Sequence, residues 1–335
     1  MDELIAALRS SPRLNDKRHL RNLWDIIPGV CAVNAKDVIL GDDAAAIETQ
    51  DGYLLVAAEG VYPDLLKSNP YLAGRTSVLT NVSDIYAMGG RPVAILDVLF
   101  SPNYDEVNEV LRGIKDNASR YKVPLVGGHL TQQTDFSSLS VFIIGSARRL
   151  LSSFNAQTGD DLVLVCNLRG KFHSGFNFWD SSSEISGEDA IRQLDLLPHL
   201  AEDGLADASK DISMAGLIGS VLMLLECSGK GAEIYIENIP TPGEIPLRDW
   251  FLTFPSYGFI LSLRPQHTAE VKKRFSSLNL TCEVIGNVTS GSKVIFVKEG
   301  VDKKLFWDID TKPLIGIGEK MLTKVKSDER TKSDR

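Results

Sequence analysis

A chain of 335 residues that is 43% hydrophobic, 24% charged and 7% aromatic has ordinary globular composition and material for a sizeable core, which excludes disorder and fibres. With 36 Lys and Arg against 44 Asp and Glu the net charge is −8, so nothing points to nucleic acid or a membrane surface as partner. The acidic start Met1-Asp2-Glu3 and the lack of an apolar run near the roughly 18 residues of a membrane span lead to the expectation of a cytoplasmic protein.

In chain order, a basic segment (Arg13, Lys17, Arg18, Arg21) predicts helix, and residues 38–40 and 53–58 read as short strands separated by polar turns at Gly41-Asp42-Asp43 and Gln50-Asp51-Gly52. Residues 71–88 predict a helix stopped by Gly89-Gly90, followed by a strand at 93–99. Val107, Val110, Leu111, Ile114, Ala118 and Tyr121 mark an amphipathic helix. A strand at 123–126 is expected to end in a Gly127-Gly128-His129 turn, and 140–145 is another strand. The polar stretch 152–160 reads as a linker. Beyond it come a strand at 162–166, an acidic turn at 211–216, a helix through 221–225, strands near Ala232, Phe259 and Val284, and a helix near 270–278. The residues from Lys320 onward read as a solvated tail. Strands alternating with helices mean an α/β or α+β architecture, divided as 1–150, 158–300 and a C-terminal extension and tail at 301–335.

The four cysteines form no C-x-x-C pair and the five histidines no i, i+4 pair, so a soft metal site is not indicated and a hard, oxygen-ligated cation stays open. Ser77, Thr80, Asn81 and Asp84 recur at spacings of three and four beside an apolar face of Val78, Val82 and Ile85, giving one helix a polar stripe. Asp84 falls near that helix's C-terminus, where the dipole disfavours an anion by about 0.3–1 kcal/mol. A bound cation removes the conflict, and a solvent-facing aspartate tolerates it. Asp42 and Asp43 are metal candidates or turn formers. Gly127, Gly128 and His129 are a phosphate-approach turn or merely a turn. Asp211 and Ser213 open a helix, so capping explains them as well as metal binding does.

GDDAA at 41–45, EGV at 59–61, NVSDIYAMGGRP at 81–92, GGH at 127–129, DISMAGLIG at 211–219 and IGNV at 285–288 together resemble the aminoimidazole ribonucleotide (AIR) synthetase superfamily, which includes selenophosphate synthetase, thiamine-monophosphate kinase and a hydrogenase-maturation protein. The resemblance spans about residues 38–290. It implies a two-domain fold, a homodimer that pairs N-terminal sheets, and a C-terminal α/β domain closing a groove for ATP and Mg2+. It further implies metal ligation by Asp42 or Asp43, Asp84 and Asp211, with Asp43 and Asp84 at the chemistry, Glu59 and Asn81 supporting the cluster, and Gly127, Gly128 and His129 against phosphate or acceptor. Carboxylates facing a polyphosphate need divalent cations between them, since one such pair at 4 Å repels by about 4 kcal/mol at an effective dielectric near 20.

Departures qualify the match. The segment Val30-Cys31-Ala32-Val33-Asn34-Ala35-Lys36 does not reproduce the reactive loop of selenophosphate synthetase, and Leu55, His129 and Met214 stand where the thiamine-phosphate enzyme carries acids. Fewer metal ions or a different acceptor follow. The leading expectation is an Mg-ATP-dependent phosphotransferase or ATP-activating enzyme for a small polar metabolite. The alternatives are a nucleotide-binding scaffold without turnover and, more weakly, a thiamine-monophosphate kinase-like enzyme.

Overall fold

The computed structural model describes residues 1–25, 32–33, 36–39, 41–173, 175–299 and 302–317. Val30, Cys31, Leu40 and the tail from Lys320 lie outside these. Two compact units form: one of Val33–Leu150 with Ser182–Asp203, termed the N-terminal unit, and one of Met1–Ala32, Leu151–Ser181 and Gly204–Arg335, termed the C-terminal unit.

The N-terminal unit is built on a seven-stranded sheet in the order β1-β2-β3-β4-β7-β5-β6: β1 Ala32–Val33, β2 Lys36–Ile39, β3 Ala45–Glu48, β4 Tyr53–Gly60, β5 Arg91–Phe100, β6 Leu125–Thr131 and β7 Ser138–Ala147. All neighbouring pairs among β2 to β7 are antiparallel except β5 with β6. Helix α4 (Pro70–Ala87), the fourth after α1 Asp2–Arg9, α2 Pro12–Asp16 and α3 Pro63–Ser68, lies on β4, β5 and β7. Asn69 caps its start by accepting from the Leu72 amide, and Pro70 fits the first turn, where no donor is needed. Gly89, at φ 73°, ends it in the left-handed region that a side chain resists. Helix α5 (Tyr104–Arg120) packs on α4, where Arg75 and Asn117 exchange bonds: Nε to Oδ1 at 3.2 Å and Nδ2 to the Arg75 carbonyl at 2.7 Å. By strand alternation Leu55, Ile95, Val141 and Ile143 face α4 and are buried, whereas Leu54, Val56 and Phe142 on the opposite face stay exposed.

The segment holding α6 (Gly187–Leu194) and α7 (Leu196–Glu202), which hydrophobic spacing did not reveal, joins this unit through charge. The Arg91 guanidinium donates to Glu202 at 2.7 Å and lies 3.5 Å from Asp195, and Arg120 donates to the carbonyls of Ser182 and Ile185. Burial, aided by Asp195, pushes the Tyr86 hydroxyl well above its usual range.

The C-terminal unit has its own seven-stranded sheet, β11-β14-β8-β15-β12-β16-β17: β8 Asp161–Cys166, β11 Ala208–Asp211, β12 Gly231–Tyr235, β14 Gly258–Leu263, β15 Thr281–Thr289, β16 Lys293–Lys298 and β17 Asp302–Asp308. A small sheet, β13-β10-β9, uses β9 Lys171–Phe172, β10 Phe178–Asp180 and β13 Phe254–Pro255. Helix α8 (Gly216–Ser228) is buried from Gly216 to Cys227, which suits a helix apolar on every side. Its core also takes in Ile5, Leu8 and Leu14 from the N-terminal helices and Leu314, Ile315 and Ile317 beyond β17. Helices α9 (Leu247–Phe251) and α10 (Pro265–Ser277) complete the unit.

Residues 152–160, read as a linker, begin just after the break between the units at Leu150 and Leu151 and are partly buried: Asn155, Gln157, Thr158 and Gly159 are exposed, whereas Ser152, Ser153 and Asp160 are buried, with Ser153 Oγ donating to the Ser209 carbonyl and Asp160 Oδ2 accepting from Ser262 Oγ at 2.7 Å. Backbone groups and Ser262 satisfy the buried polar side chains there, so hydrophilicity does not by itself mean exposure. Gly127-Gly128-His129 is not a turn but the middle of β6, in parallel register with Leu96, Asp97 and Val98.

Candidate metal and phosphate site

Asp84 lies in the last turn of α4, and the expected polar stripe is not solvent-facing: Ser77, Asn81 and Asp84 are all buried. Asn81 Nδ2 donates to the Ser77 carbonyl at 2.8 Å, and its Oδ1, also buried, has no hydrogen-bond partner. One turn of helix separates Asn81 from Asp84, so both project from one side. Asp43, in the loop before β3, presents a carboxylate oxygen within 4.8 Å of one from Asp84. Its neighbour Asp42 turns an oxygen back to accept from the Asp43 amide at 3.1 Å. Of the adjacent acids, Asp43 thus pairs with Asp84 and Asp42 shapes the loop.

Hard oxygen donors fit Mg2+ or a similar cation, and neither sulfur nor imidazole belongs to this pair. The unpartnered carboxamide oxygen of Asn81 is the independent sign, because an unmet buried acceptor costs about 1–3 kcal/mol unless something supplies its bond.

The sheet sorts the remaining candidates by face. Glu59, Val141, Asp97 and Gly128 form one cross-strand row over β4, β7, β5 and β6, and Gly60, Ser140, Val98 and His129 form the next. Successive residues point to opposite faces, so Glu59 and Asp97 share the α4 side while His129 projects from the other. His129 there meets Thr131 Oγ1 at 3.1 Å and lies 6.4 Å from the Phe100 ring. The sheet does not bring Glu59 and His129 together.

Asp97 is a residue that sequence reasoning missed. It is buried in β5, burial raises its carboxyl above the usual range, and a Cβ on Gly128 would stand 2.2 Å from its Oδ1. The available signal was a lone acid inside the apolar run Val93-Ala94-Ile95-Leu96-Asp97-Val98-Leu99. Gly128 is there because Asp97 leaves no room for a side chain. Gly128→Ala is expected to displace Asp97 and the β6 edge, lowering stability by about 1–3 kcal/mol in thermal unfolding.

In the C-terminal unit Asp211 is the buried last residue of β11, paired with Phe259. It does not cap the helix that follows: α8 starts at Gly216 after Ala215, with no side-chain cap bond. The helix start that the sequence placed at Asp211 and Ser213 thus falls later, at Gly216. Met214 is exposed, whereas Leu55 is core beneath Gly90.

Two α/β units, the first of which brings a partly buried Asp43 oxygen within 4.8 Å of one from buried Asp84, define a class of proteins suited to a hard cation and the phosphates it accompanies. The chain belongs to the AIR synthase-related protein family, matching its N-terminal domain over residues 41–147 and its C-terminal domain over 158–299. An uncharacterised protein of Synechocystis is 45% identical, covering 83% of this chain and 86% of that relative. The fold is that of the Thermotoga maritima PurL structure complexed with ADP (TM-score 0.67, 18% identity), which covers 82% of this chain while the chain spans only 46% of PurL. It is also that of AaThiL complexed with AMPPCP and TMP (TM-score 0.62, 23% identity, 85% and 96% covered). The superfamily includes ATP-using enzymes. Among the described residues no helix is long and apolar enough to cross a membrane.

Proposed function

We propose that this protein binds Mg-ATP and transfers its terminal phosphoryl group to, or thereby activates, an oxygen of a small polar metabolite. The observation that carries the reading is the approach of the partly buried Asp43 to buried Asp84, one helical turn from the unpartnered Asn81 oxygen. Asp43 and Asp84 would hold the cation, with Asp211 as the further carboxylate that its motif implies and Glu59 in support. Bound Mg2+ supplies charge neutralisation for the phosphates. The protein's own part is to fix the acids on rigid elements, with Asp43 in a loop braced by Asp42 and Asp84 on a helix clamped by α5. Gly127, Gly128 and His129 are proposed to contact phosphate or acceptor as β-strand residues, on whichever face each presents.

Titration with ATP, with and without Mg2+, followed by a search for ADP, tests the reading. Mg-dependent binding with ADP formation is expected, and no binding in either condition overturns it. Binding without ADP under any metabolite mixture favours the scaffold alternative, to which Leu55 and Met214 lend support by replacing acids.

We further propose a homodimer assembled through the exposed sheet face. Val56 and Ile144 pair across β4 and β7, and Phe142 stands between Ala58 and Leu96, so apolar side chains form one continuous surface that water would otherwise cover. Phe142→Glu puts a charge at its centre. Light scattering after size exclusion should report twice the 36.7 kDa chain mass for the parent and a single chain mass for the variant. An unchanged dimer in the variant would refute this interface.

A further inference from the structure

Where β4 and β5 begin and β7 ends, the N-terminal unit shapes a cavity of about 560 Å³, a usual size for small-molecule sites, which run to roughly 300–1,000 Å³. Thr49, which lines it, follows β3, whereas Asp43 precedes that strand. The four residues of β3, about 13 Å of extended chain, thus lie between the cavity and Asp43. One wall is the loop that joins β3 to β4. The Thr49 amide donates to the Gly52 carbonyl at 2.8 Å, and a Cβ on Gly52 would clash with the Ala147 carbonyl and stand 3.1 Å from Arg148 Cα. Asp51 and Arg148 therefore flank one close approach of two backbones.

Four charged side chains line the cavity, and only two of them satisfy each other. Arg91 donates to Glu202 at 2.7 Å and holds that carboxyl below its usual range, and Asp195, 3.5 Å from the same guanidinium, completes its neutralisation. Asp51 and Arg148 make no ion pair among the described residues, either with each other or with a neighbour, although their backbones are close. Arg148 acts on Glu202 only as a weaker, longer-range attraction. The hydroxyls of Thr49, Tyr53 and Ser146 line the same space and also make no hydrogen bond among the described residues.

This pattern selects a ligand. A plain anion on Arg148 would meet the Asp51 carboxylate, and a plain cation on Asp51 would meet the Arg148 guanidinium, so a single charge gains at one residue what it loses at the other. A phosphate, with more negative charge, fares worse beside Asp51. A molecule that carries both charges a few bonds apart satisfies both residues at once. We infer that the N-terminal unit carries, apart from the metal site, a binding site for a small zwitterion, a polar α-amino acid. Its carboxylate accepts from the Arg148 guanidinium, which can present two parallel N–H groups, and its ammonium donates to Asp51. The side chain meets the uncommitted hydroxyls of Thr49, Tyr53 and Ser146.

Titration of the isotope-labelled full chain tests it, read by the amide shifts of Thr49, Gly52, Ser146 and Arg148 and by calorimetry. The probes are L-serine and the other polar amino acids. β-Hydroxypropionate and ethanolamine keep the serine skeleton without its ammonium or its carboxylate, and inorganic phosphate serves as a plain anion. At least one amino acid should saturate with a Kd on the order of 1 mM, as suits two charge-assisted contacts at an open site, and both serine analogues should bind at least about tenfold more weakly than serine. Arg148→Gln and Asp51→Asn should each weaken amino-acid binding about tenfold with unchanged circular dichroism. No saturable shift with any polar amino acid overturns the site. Phosphate, β-hydroxypropionate or ethanolamine binding as tightly as serine overturns the zwitterion assignment, and so does full affinity in either folded variant.

Discussion

Asp84→Asn should raise the stability of the metal-free protein and abolish its response to Mg-ATP. In chelator, two carboxylate oxygens within 4.8 Å repel by about 3 kcal/mol at an effective dielectric near 20, and Asp84 also sits at the unfavourable end of the α4 dipole. Asparagine keeps the size and removes both penalties. A melting temperature several degrees above the parent in EDTA is therefore expected, at about 2–4 °C per kcal/mol for a domain of this size. With Mg-ATP the order reverses. The parent gains the ligand-linked stabilisation, and the variant, lacking one hard anionic ligand, should bind at least about 100-fold more weakly, a loss of about 2.7 kcal/mol. Opposite signs in the two conditions separate a metal ligand from a merely buried acid. A variant that retains the parent's full Mg-ATP shift removes Asp84 from the site.

The Asp84 helix, the strand after it and the amphipathic helix from Tyr104 were legible because their signals are local: period 3.6, a glycine stop and an apolar run. What stayed illegible depends on contacts distant in sequence. Gly127-Gly128 reads as a turn in any short window, and only the approach of Asp97 from β5 shows that these glycines belong inside a strand. Asp42 and Asp43 are equivalent on paper. Only the structure tells their surroundings apart: Asp42 accepts from the Asp43 amide, and Asp43 has an oxygen within 4.8 Å of one from Asp84. Asp211 and Ser213 looked like caps because acids and serines before an apolar run favour helix starts, yet the helix begins later, at Gly216. Arg91 and Arg120, which tie residues 182–203 to the N-terminal unit, carry no periodic signature at all.

Glu226→Gln should be the most damaging conservative change in the C-terminal unit. In sequence it is one acid in the apolar helix Leu222-Met223-Leu224-Leu225-Glu226-Cys227, a position that invites replacement by something less polar. Its carboxylate is 2% exposed and accepts four backbone amides: Leu314 and Ile315 on Oε2 at 2.6 and 3.1 Å, Gly316 and Ile317 on Oε1 at 2.5 and 3.2 Å. Four aligned N–H groups form a concavity for an anion, and α8 supplies the anion from its own side chain. Glutamine answers two of them with its oxygen and turns an NH2 donor toward the other two. Two orphaned amides at about 1–3 kcal/mol each, with the lost charge-assisted strength, predict a destabilisation of about 3–5 kcal/mol, or roughly 10 °C in melting temperature. Hydrogen exchange should show residues 314–317 losing protection first, because their amides alone lose acceptors. Protection of those four amides equal to the parent's would mean that packing of Leu314, Ile315 and Ile317 in the core, rather than the carboxylate, anchors the segment.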